Sequence, residues 1–385
     1  MTKIRVAGVK FALGADGGTE RYLQAILANL PKDDFEVDAY YTNAAPYLGS
    51  DWKHPDNNPD NLKYLEDHGV NLIPINVEFK DVRTATHEWV GTDFYEKFDE
   101  SKYDVLITAR AGHSEAPYCH LKKVPIVELV TLPGMADNQS NIVKSVHISN
   151  FQRETWIKAG GNPNITEVIP LFSEQINRSN RYLRDKLGIK DSDFVFGFHQ
   201  RPDDGIYFPA SLAAYKEIMN DNTHFIIMGG SQQYSQAAME MGLKNFHQLS
   251  ANGSDNARDE FLNTLSVFAH ARKDGETFGL AIAEAMSYGL PVLSHYAPAN
   301  GHVETIGDGG FVCSNVSEYA GYMKRLMDNS DFYKDLSTKA LNRYRNALSL
   351  KVNMEKFIRI FQEVIDEKMI NNMDADDFWN EQYKE

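Results

Sequence analysis

The chain has few cysteines and no segment long and apolar enough to span a membrane. Only two cysteines, Cys119 and Cys313, occur among 385 residues, too few for a disulfide framework or a cysteine-based zinc site. No stretch approaches the roughly 18 uninterrupted apolar residues of a transmembrane helix, and no secretory signal pattern follows Met1. These absences predict a protein of the reducing cytoplasm. Peripheral association with a membrane surface stays compatible with the sequence.

The chain also lacks a basic surface. Lys and Arg number 39 against 54 Asp and Glu, which gives a formal net charge of −15. Because nucleic-acid binding requires concentrated positive charge, this balance excludes a nucleic acid as the expected partner. The acidic segment 363–385 is predicted to form a solvated helix face and tail.

Apolar strands alternate with amphipathic helices along the whole chain, whose hydrophobic fraction of 42% suffices for two domains of ordinary size. In the first half, strands are predicted at 4–11, 36–41, 70–74, 104–108, 125–131, 146–149 and 167–170. In the second half, they are predicted at 194–198, 224–228, 246–249, 266–270, 292–295 and 310–312. This alternation predicts an α/β protein with two doubly wound parallel sheets and a ligand cleft between them.

The predicted domain boundary lies in a charged, polar segment. We expect an N-terminal domain over 1–172 and a C-terminal domain over 173–365, with the linker within 171–190. Residues 366–385 are predicted as the end of the last helix and an acidic tail. The last helix itself is predicted over roughly 352–369, with a stripe of apolar side chains on one face.

The most informative segment reads E-T-F-G-L-A-I-A-E and places Glu276 just before a helix and Glu284 within it. Eight helical residues advance about 12 Å, so the two carboxylates cannot share one metal ion but can hold opposite ends of an extended ligand. The helix N-terminus presents the backbone N–H groups of Phe278, Gly279 and Leu280, which suit an anion such as a diphosphate. A sugar nucleotide has this extended, anionic shape.

This segment resembles the E-x7-E motif of the retaining GT-B glycosyltransferases, the "glycosyl transferases group 1", which include glycogen synthase, sucrose synthase and lipid mannosyltransferases. The matching positions are Glu276, Phe278, Gly279, Glu284, Ala285, Met286, Gly289 and Pro291. The resemblance implies a GT-B fold of two facing Rossmann-like domains, with the last helix returning to the first domain. It also implies transfer of a sugar, with retention, from a UDP- or GDP-sugar to a hydroxyl of a glycan, lipid or small molecule. No metal and no cofactor are implied, since the nucleotide sugar is a substrate.

By the same resemblance, Glu276 holds hydroxyls of the donor sugar near the reacting carbon, and Glu284 accepts hydrogen bonds from the ribose. The glycine loop with Gly17 and Gly18 is similar to the family's first glycine loop, whose amides approach the donor diphosphate or the acceptor. A purely steric turn is the alternative for these glycines. Their spacing is not G-x-G-x-x-G, which disfavours a nicotinamide enzyme.

Two further residues complete the predicted catalytic set. His113 follows the strand at 104–108, and the resemblance implies contact with the donor sugar; the alternative is a solvated loop histidine. Arg201, in H-Q-R-P-D-D-G, resembles the family's arginine that clamps the diphosphate. The lysine that follows it in the family is absent, and Asp203 and Asp204 stand near its place.

That departure keeps open a degenerate GT-B scaffold that acts as a binding or regulatory protein. A second alternative is a GT-B nucleotide-sugar epimerase. The epimerase would cleave the same bond but pass the sugar to no acceptor. Asp374-Ala375-Asp376 matches the metal-binding D-x-D of another glycosyltransferase fold. Because it lies in the acidic tail, it is not assigned to a metal.

Overall fold

The computed structural model describes residues 3–42, 56–76, 92–110, 117–132, 135–172 and 182–382, with side chains described through residue 367. The chain divides into two compact units. The first unit comprises Met1–Ile148, Gln152–Ile169 and Asn353–Glu385, and the second comprises Ser149–Phe151 and Pro170–Val352.

The first unit is built on a parallel sheet whose strand order within the described residues is β3-β2-β1-β4-β5-β6-β7. Its strands are β1 (Ile4–Val9), β2 (Phe35–Thr42), β3 (Asn71–Ile75), β4 (Val105–Arg110), β5 (Ile126–Val130), β6 (Ile142–His147) and β7 (Thr166–Val168). Its helices before the last one are α1 (Gly18–Asn29), α2 (Pro59–Asp67), α3 (Phe94–Lys97) and α4 (Asn150–Lys158). Every residue of β4 and β5 is buried, as expected for central parallel strands covered on both faces.

The second unit repeats this architecture with strand order β10-β9-β8-β11-β13-β15. Its strands are β8 (Phe194–Gln200), β9 (Thr223–Gly229), β10 (Phe246–Leu249), β11 (Val267–Ala269), β12 (Gly275–Glu276), β13 (Val292–His295), β14 (Ala299–Asn300) and β15 (Gly310–Cys313). Its helices are α5 (Tyr182–Leu187), α6 (Ala210–Ile218), α7 (Gln233–Met241), α8 (Asp255–Thr264), α9 (Leu280–Ser287), α10 (Gly301–Ile306), α11 (Val316–Asp328) and α12 (Ser330–Arg343). The predicted α/β class and all predicted strands are confirmed, with ends displaced by a few residues.

A small parallel pair, β12 and β14, was not predicted from the sequence and lies beside the second sheet. Gly275 pairs with Ala299, and Glu276 pairs with Asn300. Gly275 has φ +74°, and a Cβ there would lie 2.0 Å from the carbonyl oxygen of Ala299. Only glycine fits this close backbone approach, which fixes the position from which Glu276 projects.

The last helix, α13 (Leu350–Gln382), belongs to the first unit from Asn353 onward. The ring of Phe357 packs edge-on against Tyr22 with centroids 5.9 Å apart, and Phe361 packs against Phe35 at 6.0 Å. The second unit thus ends at Val352, about three and a half helical turns before the predicted boundary at 365, because the apolar stripe packs on the first unit.

The predicted linker at 171–190 is also too long. Residues 182–187 form α5, and the buried Arg184 within it donates to the carbonyl oxygens of Thr264 at 3.1 Å and Lys190 at 2.9 Å. A charged residue in this segment thus anchors a helix in the second unit, which charge content alone does not reveal. Residues 173–181 of the predicted linker lie outside the described residues.

Candidate functional site

Two loops of the second unit meet at the carboxyl edge of its sheet. One follows β8 and carries Arg201; the other follows β11 and carries Glu276. The two strands are paired in parallel, so their carboxyl ends lie at the same edge. The loops are in direct contact, because the Lys273 N–H donates to the carbonyl oxygen of Ile206 at 3.1 Å. The structure therefore brings together the two segments that the sequence singled out in this unit.

Glu276 is held through one of its two carboxylate oxygens. Its Oε1 lies 3.0 Å from Arg272 Nη1 and 3.7 Å from His270 Nε2, and its side chain is 22% exposed. Burial opposes the charge of Glu276, but the neighbouring His270 and the Arg272 guanidinium outweigh burial and lower the pKa of Glu276. Among the described residues, nothing hydrogen-bonds to Oε2. This oxygen is available to a ligand hydroxyl.

The backbone between Glu276 and α9 makes a tight turn. Gly279 precedes the helix at φ +91°, and its carbonyl oxygen accepts from the N–H groups of Ile282 and Ala283 at 3.0 and 3.2 Å. Phe278 is buried, and its carbonyl oxygen accepts from the Thr305 hydroxyl at 2.6 Å. In the part of the chain that the structure describes, the N–H groups of Phe278, Gly279 and Leu280 have no hydrogen-bond acceptor. They are donors at the positive end of α9.

Glu284 lies in α9 and is buried in a pre-formed ion pair. Its Oε1 is 3.0 Å from Arg258 Nη1, and its Oε2 is 3.4 Å from His199 Nε2. Burial, together with the positive charge of Arg258, lowers the pKa of His199 to about 4, so this imidazole is neutral at pH 7. The negative charge of Glu284 is therefore balanced by the guanidinium of Arg258.

Arg201 is 64% exposed and paired with Asp203, at 2.9 Å between Nη2 and Oδ2. Asp203 also accepts from the Gly205 N–H at 2.8 Å, and that bond together with Arg201 lowers the pKa of Asp203. Asp204 accepts from the Ser231 hydroxyl. Asp203 thus has its partners within its own loop, and Asp204 has its partner in the loop after β9. The Nη1 group of Arg201 has no partner among the described residues.

Gly17 and Gly18 belong to the first unit, whereas the six predicted site residues between Arg201 and Glu284 belong to the second. Gly17 precedes α1, and the Glu20 carboxylate folds over it, since a Cβ on Gly17 would lie 2.1 Å from Glu20 Oε2. Lys10 Nζ lies 3.3 Å from Glu20 Oε1. A carboxylate therefore already occupies the N-terminal end of α1, which is where the dipole favours negative charge.

His113 lies outside the described residues, as does Glu115. Arg110, which ends β4, is buried and forms ion pairs with Glu128 and Asp137, both at 2.8 Å. Burial raises the pKa of Glu128 in spite of Arg110. The Arg110 side chain is thus held within a buried cluster of ion pairs.

Sequence reasoning missed four charged or polar neighbours of the two glutamates: His199, Arg258, His270 and Arg272. Arg272 precedes Glu276 by four residues, and its proximity in the sequence could have suggested a pair. His199 and His270 stand at the ends of predicted strands, which is a usable signal. Arg258 lies on α8, and only the tertiary fold brings its guanidinium to Glu284 on α9.

Over the described ranges, no three His, Cys, Asp or Glu side chains are grouped so that they could hold a metal ion. The side chains of Asp374 and Asp376 fall outside that description. No helix found in the described residues has the length and apolar character needed to cross a membrane.

The chain is similar in sequence to known glycosyltransferases. The family profile of the Glycosyl transferases group 1 matches residues 180–343. A GDP-Man:Man(3)GlcNAc(2)-PP-Dol alpha-1,2-mannosyltransferase from Dictyostelium discoideum is 22% identical over 161 residues, which are 39% of this chain and 32% of that protein. The match thus spans about a third of that relative's length.

Solved structures share the fold over nearly the whole chain. Anabaena Alr3699/HepE, determined in complex with UDP and glucose, has a TM-score of 0.69 at 16% identity and covers 93% of this chain and 99% of its own. A glycosyltransferase from Rickettsia africae has a TM-score of 0.73 at 15% identity, with 95% and 99% covered. Sucrose-phosphate synthase from Thermosynechococcus elongatus has a TM-score of 0.69 at 12% identity, with 95% and 100% covered.

These likenesses agree with the two Rossmann-like sheets described above and establish the GT-B fold. The profile match covers most of the second unit, including the loops of Arg201 and Glu276 and all of α9. Residues 180–343 thus resemble the Glycosyl transferases group 1, and the chain as a whole has the GT-B fold.

Proposed function

We propose that this chain is a retaining, hexosyltransferase-like glycosyltransferase that moves a sugar from a nucleotide diphosphate sugar to a hydroxyl group of a glycan, lipid or small molecule. The observation that carries the proposal is the arrangement at the start of α9. An ionised Glu276 with one available oxygen stands beside three backbone N–H groups that lack acceptors among the described residues. A sugar diphosphate offers both kinds of partner, hydroxyl donors and phosphate acceptors, on adjacent atoms.

The chemistry of the proposed reaction is departure of the nucleotide diphosphate from the anomeric carbon. Negative charge grows on the diphosphate as that bond breaks, so donors fixed in place before the reaction lower the barrier. The amides of Phe278, Gly279 and Leu280, the α9 dipole and Arg201 Nη1 can supply these donors. Loss of one such donor typically costs about 2.7–4 kcal/mol of barrier. We infer that this set carries the charge without a metal ion, and that no cofactor other than the donor substrate takes part.

The two glutamates have different proposed roles. Glu276 accepts from donor-sugar hydroxyls through Oε2, while Oε1 stays with Arg272. Glu284 accepts from the ribose hydroxyls and shares its oxygens with Arg258, 3.0 Å away. Because Arg258 keeps Glu284 charged and oriented before any ligand arrives, little reorganisation is needed on binding.

The roles of three residues of the first unit rest on the family resemblance. His113 would contact the donor sugar, and the amides at Gly17 and Gly18 would approach the donor diphosphate or the acceptor. The Glu20 carboxylate over Gly17 favours hydroxyl groups over phosphate at that helix start, because two anions would repel each other there. We therefore favour the acceptor for this loop. The free thiols of Cys119 and Cys313 support the cytoplasm as the place of action.

The relatives suggest which nucleotides and nucleotide sugars to test first. The Anabaena structure holds UDP and glucose, and the Dictyostelium relative is named for GDP-mannose. We therefore propose a thermal-shift series with UDP, GDP, ADP and CMP and with UDP-glucose and GDP-mannose, each without and with Mg²⁺. At a concentration 100-fold above the dissociation constant, a ligand stabilises by about 2.7 kcal/mol.

A shift confined to one nucleotide diphosphate and its sugar, independent of Mg²⁺, is the expected result. Glu284→Ala should weaken binding of the nucleotide, and Glu276→Ala should mainly lower turnover. The matched control is Glu217→Ala, an exposed carboxylate on α6 of the same unit, which should change neither. If no nucleotide stabilises the protein, the degenerate scaffold becomes the better reading. Strict dependence on Mg²⁺ would contradict the metal-free mechanism.

A further inference from the structure

His270 is a buried histidine whose imidazole faces Glu276, and the proposed transfer reaction assigns it no role. It follows β11 directly and is only 3% exposed. Its Nδ1 lies 2.8 Å from the hydroxyl of Ser294, which is itself fully buried on the adjacent strand β13. Its Nε2 lies 3.7 Å from Glu276 Oε1 and makes no hydrogen bond within the described residues. The ring therefore connects a fixed serine on the sheet to the carboxylate in the loop.

In the neutral form of His270, the charge of Glu276 favours the tautomer that carries its proton on Nε2. A lone pair on Nε2 would face the carboxylate and repel it, whereas an N–H at Nε2 is attracted. The Ser294 hydroxyl can donate to Nδ1 and so stabilise this tautomer. In this arrangement the Ser294 hydroxyl donates to Nδ1, and Nε2–H faces the Oε1 atom of Glu276.

The two neighbouring histidines have fixed tautomers and do not compete for this position. His295 Nε2 accepts from the Arg272 N–H at 3.1 Å, so its Nδ1 carries the proton and donates to the Tyr296 carbonyl oxygen at 2.8 Å. His302 Nε2 donates to the His295 carbonyl oxygen at 2.9 Å. Burial lowers the pKa of both rings, so both are neutral at pH 7. Of the three rings, the one aimed at Glu276 Oε1 is His270.

Arg272 alone holds Glu276 loosely, because its guanidinium is shared. It donates to both oxygens of Asp274, at 2.6 and 3.0 Å, and reaches Glu276 only through Nη1. A single contact leaves the carboxylate free to rotate about its last bond. A second contact on the same oxygen removes that freedom and turns Oε2 consistently toward the ligand.

We propose that His270 is a positioning residue for Glu276: its Nε2–H, set by Ser294, holds Oε1 so that Oε2 receives the hydroxyls of the donor sugar. The inference rests on the proposed function, in which Glu276 binds that sugar. The separation of 3.7 Å is too long for a hydrogen bond and closes when the ligand binds, as contacts in unliganded sites often do.

Two substitutions at His270 separate its two nitrogens. In His270→Gln, the amide nitrogen stands where Nε2 was and can still donate to Glu276. In His270→Asn, the amide reaches only to the position of Nδ1, so the variant keeps the hydrogen bond to Ser294 and loses the contact with Glu276. Calorimetric titration of each variant uses UDP and UDP-glucose, or GDP and GDP-mannose, whichever pair stabilises the wild type.

We expect His270→Asn to weaken binding of the nucleotide sugar by about tenfold or more, the loss typical of one hydrogen bond to a charged group, and to leave the nucleotide alone unaffected. His270→Gln should restore the affinity to within about threefold of wild type. Glu276→Gln should weaken binding of the nucleotide sugar to the same extent. The double variant with His270→Asn should bind no more weakly than either single variant, because both substitutions act on one contact.

Equal losses in both His270 variants would show a merely structural role and overturn the proposal. If His270→Asn does not fold, Ser294→Ala serves instead, and unchanged sugar affinity in that folded variant would overturn the proposal too. Failure of the proposed function has a different signature: Glu276→Gln would then bind the nucleotide sugar as tightly as the wild type does.

Discussion

Glu276 and Glu284 belong to one sequence motif but occupy different surroundings. Glu276 sits on a short strand with one oxygen available, whereas Glu284 is buried in a helix and paired with Arg258 at 3.0 Å. The positions of both could be predicted, because the glycine turn and the helix start are local features. Their partners could not, since Arg258 lies 26 residues before Glu284 and reaches it only through the tertiary fold.

At the level of single residues, His147 allows a test of how burial lowers a histidine pKa in the first unit. It ends β6, is fully buried, and its Nδ1 lies 2.5 Å from Gln152 Oε1. Burial lowers the pKa of His147 to about 4, below the 6.5 of an exposed histidine. His147 therefore takes up a proton at a lower pH in the folded state than in the unfolded state. This contribution to stability is complete above pH 6.5 and is lost as the pH falls from 6.5 to 4.

We predict that His147→Gln flattens the pH dependence of unfolding of the first unit. By pH 4 the wild type should have lost about 3 kcal/mol through this residue, and the variant should not show that loss. Urea unfolding at several pH values between 7 and 4 measures it. His120→Gln, at an exposed position of the same unit, is the control and should follow the wild type. Parallel curves for wild type and His147→Gln would contradict the prediction.

At the scale of elements, the strands were the most predictable feature. Continuous apolar runs of four to eight residues mark strands covered on both faces, and β10 and β13 have the predicted ends. The pair β12 and β14 was not predictable, because two-residue strands have no periodicity and depend on a backbone approach at Gly275.

The turn into α9 makes a prediction at this scale. Gly279 has φ +91°, and a Cβ there would lie 2.9 Å from Ile282 Cδ1. Gly279→Ala should therefore destabilise the second unit by about 1–3 kcal/mol and weaken binding of the nucleotide, since the amides at the start of α9 shift. Thermal unfolding with and without the nucleotide measures both effects.

Gly321→Ala is the matched control, because Gly321 lies within α11 and a Cβ there meets nothing within 4 Å. It should be neutral or stabilise by up to about 1 kcal/mol, with nucleotide binding unchanged. Equal behaviour of the two variants would contradict the assigned role of the turn.

At the scale of the whole molecule, the chain ends in the unit in which it began. The sequence indicated an apolar stripe on the last helix, and the family resemblance indicated where it packs. The predicted boundary at 365 leaves this stripe in the second domain, whereas the second unit ends at Val352. Phe357 and Phe361, packed on Tyr22 and Phe35, show that the whole stripe belongs to the first unit.

We predict that Phe357→Ala destabilises the first unit by about 3–5 kcal/mol, the usual cost of deleting a buried aromatic ring, and leaves unfolding of the second unit unchanged. Hydrogen exchange followed by mass spectrometry resolves the two units. Glu355→Ala, at an exposed position of the same helix, should change stability by less than about 0.5 kcal/mol. Equal loss of protection in both units would contradict the assignment of α13 to the first.

We propose that the second unit binds a nucleotide diphosphate sugar at the start of α9. A crystal structure with the nucleotide that stabilises the protein most is the sharpest test. We expect diphosphate oxygens about 3 Å from the amides of Phe278, Gly279 or Leu280, with ribose hydroxyls on the Glu284 carboxylate. A nucleotide bound away from α9, or a ribose that does not contact Glu284, would contradict it.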